Sequence, residues 1–252
     1  MVSRLAARLR NYAEKDGRGY PDWALRYAPI ARRLRAFGLE RRVILEVGAN
    51  ENGLARFTGA VAIAVDIEVA HLRAARAAQP VTPVVASVAA LPFRDGTFDI
   101  AVCVDTFEHL PAEARAKAVD ELLRVVRDTG ISVTTFPSGA AAARAEAIVR
   151  DEYRRYTGGA LRWLEEHTAN RLPDAAPIAD LFRKGVSPFR EVRQETNAPV
   201  WLWLLMWRIL MCGWPGRGNA IFQVVLRWLT PLLCRLRIGK GYRTMIWVEP
   251  KA

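Results

Sequence analysis

Two acidic residues follow short apolar runs near the start of the chain, at a spacing that suits recognition of a nucleoside. Glu46 lies in VILEVGANENG (residues 43–53), and Asp66, 20 residues later, closes AVAIAVD (60–66). A carboxylate at the end of the second strand can accept hydrogen bonds from ribose hydroxyls. Glu46 and Glu51 put negative charge in the loop itself, which disfavours a pyrophosphate and favours a ligand with an amino group and a sulfonium.

Asn50 and Asn52 occupy loop positions where a nucleotide-binding loop ordinarily has glycine. Asparagine adopts left-handed backbone angles more readily than other non-glycine residues. We therefore expect the asparagines to keep the turn, while Gly48 and Gly53 permit the closest approaches.

Histidines beside acids form the second group of candidates. Glu108 and His109 follow the run FDIAVCVD (98–105), and Glu166 and His167 end the helical stretch 150–167. Any of these four can act as a general base on a hydroxyl or an acidic carbon. A backbone hydrogen bond for His109 and a solvated helix face for 165–167 remain open alternatives. The chain has no Ser-His-Asp order and no clustered His/Cys set, so we expect neither a hydrolase nor a metal site.

Alternating strands and helices must position these residues. Apolar runs suited to buried strands alternate with helical segments from residue 41 to residue 139, which predicts a parallel sheet with right-handed crossovers. We expect an α/β, Rossmann-like three-layer sandwich with a seven-stranded, mostly parallel sheet and an antiparallel last strand, YRTMIWVEP (242–250). Ligands of such sheets lie outside the carboxyl ends of the strands, where the acids are.

Four segments together resemble the class I S-adenosylmethionine-dependent methyltransferases, in the type 11 group that includes the ubiquinone and menaquinone methyltransferases. They have the order and approximate spacing of that family and cover about residues 40 to 139: ILEVGANENG, AVDIE, ALPFRDGTFDIAVCVDTFEHLP and LLRVVRDTGISVTTFP.

The resemblance implies S-adenosylmethionine as the cofactor. It places Glu46, Gly48 and Asn50 in the loop that meets the methionine part, Asp66 on the ribose and Ile67 along the adenine. By the same match, Ser87 and Val88 meet the adenine edge, although the family often has Asp in place of Ser87, and Asp105 lies near the methyl group and the substrate entrance. The candidate catalytic residues on the acceptor side are His109, Glu108 and His167, and no metal ligand is implied.

The second part of the chain is more basic than the first. The net charge of +11 divides into +3 for residues 1–139 and +8 for residues 140–252. We predict N-terminal helices over 1–40, a methyltransferase domain over 41–196 with 241–252, and an apolar, basic helical insert over 197–240. The insert holds five of the eight tryptophans. Arg208, Arg227 and Pro231 argue against a transmembrane helix and favour a helical pair in the membrane interface or a roof over the substrate.

The predicted function is methyl transfer to a lipophilic or lipid-linked small molecule, with O- or C-methylation favoured over N-methylation. A non-catalytic cofactor- or partner-binding protein and a nucleic-acid methyltransferase stay open as alternatives. Packing of the insert on the sheet or on a second subunit of a homodimer also stays open. Three cysteines without a disulfide or metal spacing and no signal-peptide pattern predict a cytoplasmic protein, with peripheral attachment at the inner face of the membrane as an option.

Overall fold

A computed structural model describes residues 20–39, 41–211, 225, 229 and 232–251. The elements alternate in the predicted manner. In chain order they are α1 Tyr20–Phe37, β1 Ile44–Val47, α2 Leu54–Thr58, β2 Ala62–Asp66, α3 Val69–Ala78, β3 Val81–Val85, β4 Phe98–Val104, a 3₁₀ turn Phe107–His109, α4 Ala112–Val125, β5 Val126–Pro137, α5 Gly139–Thr157, α6 Arg162–Asn170, α7 Ala175–Gly185, β6 Arg190–Pro199, α8 Val200–Met211 and β7 Gly241–Pro250.

The seven strands form one sheet in the order β3-β2-β1-β4-β5-β7-β6. Only β7 is antiparallel to its neighbours, β5 and β6. The strand order reverses between β1 and β4, whose pairing aligns Glu46 with Val102. This confirms the predicted Rossmann-like sandwich, and it places the loop after β1 and the turn after β4 side by side.

Helices cover both faces of the sheet, so its central strands β1 and β4 are buried and mostly apolar. All seven residues of β4 are buried. On one face α4 and α7 pack against the sheet, and on the other Tyr27, Ile30 and Leu34 of α1 join Ile44 and Trp247 in a second core. These two cores explain why β1 and β4 read as continuous apolar runs rather than alternating ones.

Three boundaries differ from the sequence prediction. The stretch 150–167 is not one helix, because Gly158 adopts a left-handed conformation (φ 70°) and ends α5 before α6 begins. The sequence predicts that Gly130 ends the helix before β5, but α4 already ends at Val125, since Val126 pairs with Phe98. Strand β6 extends through Pro199, three residues into the range predicted as insert. Much of that insert, and residues 1–19 of the predicted N-terminal helices, lie outside the described residues.

Candidate active site

Glu46 supports the loop after β1 from below rather than facing a ligand. Its side chain is fully buried, and both carboxylate oxygens accept from the Leu54 amide, at 2.8 and 3.0 Å. The Tyr27 hydroxyl also donates to it. Burial raises the pKa of Glu46 to about 7, against the lowering effect of these hydrogen bonds. A Cβ on Gly53 would overlap the carboxylate, so glycine is needed there to let Glu46 reach the start of α2.

Gly48 is the one residue of this loop with a left-handed backbone, at φ 75°. Its amide donates to the Val65 carbonyl at 2.8 Å. An added Cβ would collide with the Thr106 hydroxyl, because the residue after Asp105 packs directly on the loop. Gly48 therefore joins the ends of β1, β2 and β4, and the close approach it permits is to protein atoms.

The asparagines do not substitute for glycine in the predicted way. Asn50 and Asn52 both lack a positive φ. Instead the Asn50 Oδ1 accepts from the Asn52 amide at 2.9 Å, and the Asn52 Oδ1 accepts from Arg56 Nη1 at 2.6 Å. The expectation of left-handed angles was wrong because asparagine can stabilise a turn through its side chain instead. The Asn50 side chain, proposed to bind cofactor, is occupied within the loop.

Asp66 and Ile67 end β2 beside that loop. The Oδ1 atom of Asp66 accepts from the Glu68 amide at 2.7 Å and lies 3.4 Å from His71 Nδ1. Both contacts use the same oxygen. Ile67 is 68% exposed, which is unusual for a large aliphatic side chain next to a core strand. A carboxylate and an exposed apolar side chain are thus adjacent at the carboxyl end of the strand.

The next turn places one predicted adenine contact in the core. The Val88 side chain is buried with Leu91 and Phe98, so any contact it makes with the adenine edge stays a prediction. Ser87 is half-buried, and its Oγ accepts from the Ala89 amide at 3.2 Å. These are the contacts of an ordinary serine in a turn. We call the loop 48–53 together with Asp66 and Ile67 the cofactor edge.

Asp105 follows β4 as expected, but its carboxylate is committed to cations of the protein. The Oδ2 atom accepts from Arg243 Nε at 2.7 Å and lies 3.1 Å from Arg26 Nη1. Burial alone would raise the pKa of Asp105, but the two guanidinium groups outweigh it and lower the pKa. Asp105 therefore anchors α1 and β7 to the end of β4, and its place near the methyl group and the substrate entrance stays a prediction.

Two histidines separated by 58 residues meet above the end of β4. The Nε2 atoms of His109 and His167 are 3.4 Å apart. His109 Nδ1 lies 2.9 Å from Glu166 Oε2, and His167 Nδ1 lies 3.1 Å from Glu146 Oε1. His167 is buried, whereas the His109 side chain is 35% exposed. Burial, followed by the neighbouring His167, lowers the pKa of His109, so its imidazole is neutral near pH 7.

Glu108 is the third member of this group and lies close to His167. Its side chain is buried, with Oε1 3.9 Å from His167 Nε2, while Oε2 has no hydrogen-bond partner among the described residues. Burial, and next the charge of Asp105, raise the pKa of Glu108 well above its ordinary value. We call Glu108, His109 and His167, with the carboxylates of Glu146 and Glu166, the histidine cluster. The fold thus brings together all three predicted catalytic residues.

Helix α6 is fixed over the 3₁₀ turn by side-chain bonds to the backbone. Asn170 Nδ2 donates to the His109 carbonyl at 2.9 Å. Arg115 of α4 donates to the carbonyls of Phe107, Asn170 and Arg171. These bonds hold His167 against His109 without a covalent link.

Tryptophans cover the cluster from the side of α8. Trp163 contacts His167 at 5.2 Å between ring centroids and Trp207 at the same distance. Trp203 is fully buried and stacks on Tyr242 at 4.1 Å. We call Trp163, Trp203 and Trp207 the aromatic cover. Trp203 faces inward onto α5 and β7, so its side chain does not contribute to a membrane-facing surface of the predicted insert.

Comparison with known proteins decides the family. Residues 45–134 match the family model described as a methyltransferase domain. Residues 45–134 form a class I S-adenosylmethionine-dependent methyltransferase domain. No curated protein matches the chain.

Solved structures agree on the fold. A protein from Galdieria sulphuraria, provisionally described as a sarcosine dimethylglycine methyltransferase, is 17% identical with TM-score 0.56, over 90% of this chain and 84% of that one. A methyltransferase from Thermotoga maritima is 15% identical with TM-score 0.53, over 96% and 98% of the two chains. A TehB-like methyltransferase from Corynebacterium glutamicum is 12% identical with TM-score 0.51, over 88% and 86%. At sequence identities this low, the three matches show only that the fold is shared.

The cofactor edge of the methyltransferase fits S-adenosylmethionine. Asp66 offers a carboxylate and Ile67 an exposed apolar surface, as a ribose and a flat base require. Glu46 lies under the loop, and because burial raises its pKa to about 7, its carboxyl is only partly ionised at neutral pH. The cofactor, when bound, supplies an electrophilic methyl group on a sulfonium. The protein's residues need only hold the reactants in line and exclude water.

Sequence reasoning missed the residues that support the histidine cluster and the ion pair beside it. Tyr242 donates to Glu146 Oε1 at 2.6 Å, and Glu146 in turn orients His167. Arg243, also from β7, holds Asp105. The available signal was the pair Tyr242 and Arg243 near the start of β7. No local pattern connects this pair to Glu146 and Asp105, which lie about 100 or more positions earlier in the chain.

Proposed function

We propose that this methyltransferase acts on a lipophilic or lipid-linked acceptor, at an oxygen or an acidic carbon. The observation that carries the proposal is the continuity from the insert to the histidine cluster. Trp207 meets Trp163, which in turn meets His167. An acceptor that approaches His109 along this path contacts aromatic surface, which favours an apolar molecule.

The histidine cluster borders the cofactor edge through a short piece of backbone. Thr106 packs on Gly48, and His109 lies three residues further along the chain. His109 is half-exposed and neutral near pH 7, so it suits the removal of a proton from an acceptor hydroxyl or carbon. Glu166 accepts from its Nδ1 and fixes the ring orientation. Proximity to the loop, the protonation state and the ring orientation together support His109 as the general base.

The outer side of the insert supports an acceptor that comes from a membrane surface. Trp201 and Leu205 of α8 are about half exposed, and Leu232 and Ile238 are more exposed still. Exposed cations alternate with them at Arg235, Arg237 and Lys240. Apolar and basic side chains on one surface favour an anionic membrane interface. No helix among the described residues is long and apolar enough to cross a membrane.

Two assays test the proposal. The first mixes the protein and labelled cofactor with separate lipid-soluble and water-soluble cell extracts, and follows methylated products by mass spectrometry. We expect products in the lipid-soluble extract, and less with His109→Ala. Products confined to the water-soluble extract or to nucleic acid would contradict the proposal.

The second assay measures co-sedimentation with vesicles. We expect binding to anionic vesicles that declines with salt and with the triple change Arg235→Gln, Arg237→Gln and Lys240→Gln. Removal of charge at Arg183 and Lys184, exposed on α7, serves as the matched control and leaves binding unchanged. Equal loss in both variants would show that net charge alone, not this surface, drives the association.

A further inference from the structure

The contact between His109 and His167 poses a problem of protonation. Each ring has its Nδ1 on a carboxylate, Glu166 for one and Glu146 for the other. An ionised carboxylate only accepts, so each Nδ1 carries the hydrogen. A neutral imidazole then has its lone pair on Nε2, and the two Nε2 atoms lie 3.4 Å apart. With both rings neutral, no hydrogen is left for a bond between these atoms, so the contact calls for either one added proton or a metal cation that both lone pairs bind.

The spacing of the donor atoms suits a metal ion. Zinc binds histidine nitrogen at about 2.0–2.1 Å in tetrahedral sites, which puts two such nitrogens about 3.3–3.4 Å apart. The observed separation is 3.4 Å. One ligand atom from each of Glu108, His109 and His167 lies within 4.8 Å of the others. The Glu108 Oε1 lies 3.9 Å from His167 Nε2, so it must move by at least about half an ångström toward that nitrogen to reach the same geometry.

The surroundings resemble those of histidines that bind metals. Such a histidine donates its second ring nitrogen to a carboxylate or carbonyl, which fixes the ring and raises its basicity. Both histidines do so here, and the Tyr242 hydroxyl supports Glu146 at 2.6 Å. Glu108 contributes an independent sign, because its buried Oε2 has no partner among the described residues. The partly exposed His109 leaves one side of the group open.

We propose that Glu108, His109 and His167 form a binding site for one divalent transition-metal cation, with Zn²⁺ as the best match. Two nitrogens, one carboxylate and an open position are the ligand set of catalytic rather than structural zinc sites. The sequence expectation of no metal site was based on local spacing, and 58 residues separate the two histidines.

The cation has a role in the reaction, and this step alone rests on the proposed function. An acceptor hydroxyl bound at the open position becomes more acidic and loses its proton to solvent. Its oxygen then forms the new bond to the methyl carbon as the carbon–sulfur bond of the cofactor breaks, and the sulfur keeps that electron pair. With the cation bound, the lone pair of His109 serves as a ligand and the metal takes over the activation of the acceptor.

Metal content and calorimetry test the site directly. The untagged chain is treated with chelator, dialysed and titrated with ZnCl₂, and with MgCl₂ for comparison. We expect one equivalent of Zn²⁺, at least about 100-fold weaker binding in His109→Ala, and a 10- to 100-fold loss in Glu166→Gln. The control is His71→Ala, which removes the remaining histidine and leaves the stoichiometry at one. Absence of binding by the wild-type chain, or equal binding by His109→Ala, would overturn the proposal.

Cobalt supplies a readout that is independent of activity. The wild-type chain with Co²⁺ should show the visible absorption of a four-coordinate site, and His109→Ala and His167→Ala should lose it. His167 is buried, so thermal unfolding and S-adenosylhomocysteine binding check that its variant folds. If no metal binds while lipid-soluble acceptors are still methylated, the metal site fails and the proposed function stands. If metal binds but only water-soluble acceptors react, the reverse holds.

Discussion

The cofactor edge and the histidine cluster are assembled over different distances along the chain. At the cofactor edge the bonded partners are two residues apart for Asn50 and Asn52, two for Asp66 and Glu68, and eight for Glu46 and Leu54. In the histidine cluster and the ion pair beside it, the separations are 58, 96 and 138 residues. A loop that stabilises itself has a local sequence pattern, whereas a cluster made by tertiary packing has none.

The polar side chains of the two regions also differ in the parts of the chain on which their arrangement depends. The cofactor edge uses its carboxylate and amide side chains on neighbouring backbone groups, so its shape depends on the loop itself. The histidine cluster depends on α6, α8 and β7 being in place around it, with the aromatic cover as the packing that unites them. Substitutions in the cofactor edge should therefore affect cofactor binding. Substitutions in the histidine cluster should affect stability and the reaction with the acceptor.

The largest effect is expected in the aromatic cover. Trp203→Ala empties a fully buried position and should destabilise the protein by about 3 to 5 kcal/mol. The control, Trp201→Ala, lies two residues away on the half-exposed side of α8 and should cost about 1 kcal/mol. Denaturant unfolding measures both. Equal and small costs would mean that α8 does not pack on the domain as described.

At the cofactor edge, Gly48→Ala is compared with Gly59→Ala. Both glycines have φ near 75°, but only at Gly48 would a Cβ collide with Thr106, since nothing lies within 4 Å at Gly59. Backbone strain alone should cost about 1 kcal/mol in Gly59→Ala. The added collision should bring Gly48→Ala to about 3 kcal/mol and weaken S-adenosylhomocysteine binding. If the two variants behave alike, Thr106 does not pack on the loop.

Glu46 predicts a dependence of stability on pH. Its folded pKa, about 7, lies above the ordinary 4.5, so its stabilising contribution is fully present below 4.5 and is lost as pH rises through 7. Relative to Glu46→Gln, the wild type should lose up to about 3 kcal/mol between pH 4.5 and 8. Unfolding free energies at several pH values measure this. A flat difference between the wild type and Glu46→Gln across this range would contradict the assignment.

The sequence predicted most of the fold because its signals are local. Apolar runs located most of the strands, and the alternation of β7, together with the family resemblance, predicted an antiparallel last strand. The family resemblance correctly placed Gly48 directly after β1 and Asp66 at the end of β2. It did not show that the side chains of Glu46 and Asn50 bond to other groups of the protein. The direction in which a side chain leaves a tight loop depends on packing, which the local sequence does not specify.

The histidine cluster was predicted only as separate candidates. Glu108, His109 and His167 were named, but nothing in their local sequence indicated that α6 folds back onto the 3₁₀ turn. The partners Glu146 and Tyr242 were missed for the same reason. Buried polar residues in helices and strands carry no local marker until their neighbours are known.

Calorimetry with S-adenosylhomocysteine tests the central claim that the two regions are separate. We predict one equivalent bound by the wild type, binding weaker by about 1 to 3 kcal/mol in Asp66→Ala, and unchanged affinity in His109→Ala. Failure of the wild type to bind would contradict the cofactor edge. An equal loss in His109→Ala and Asp66→Ala would contradict the division between the cofactor edge and the histidine cluster.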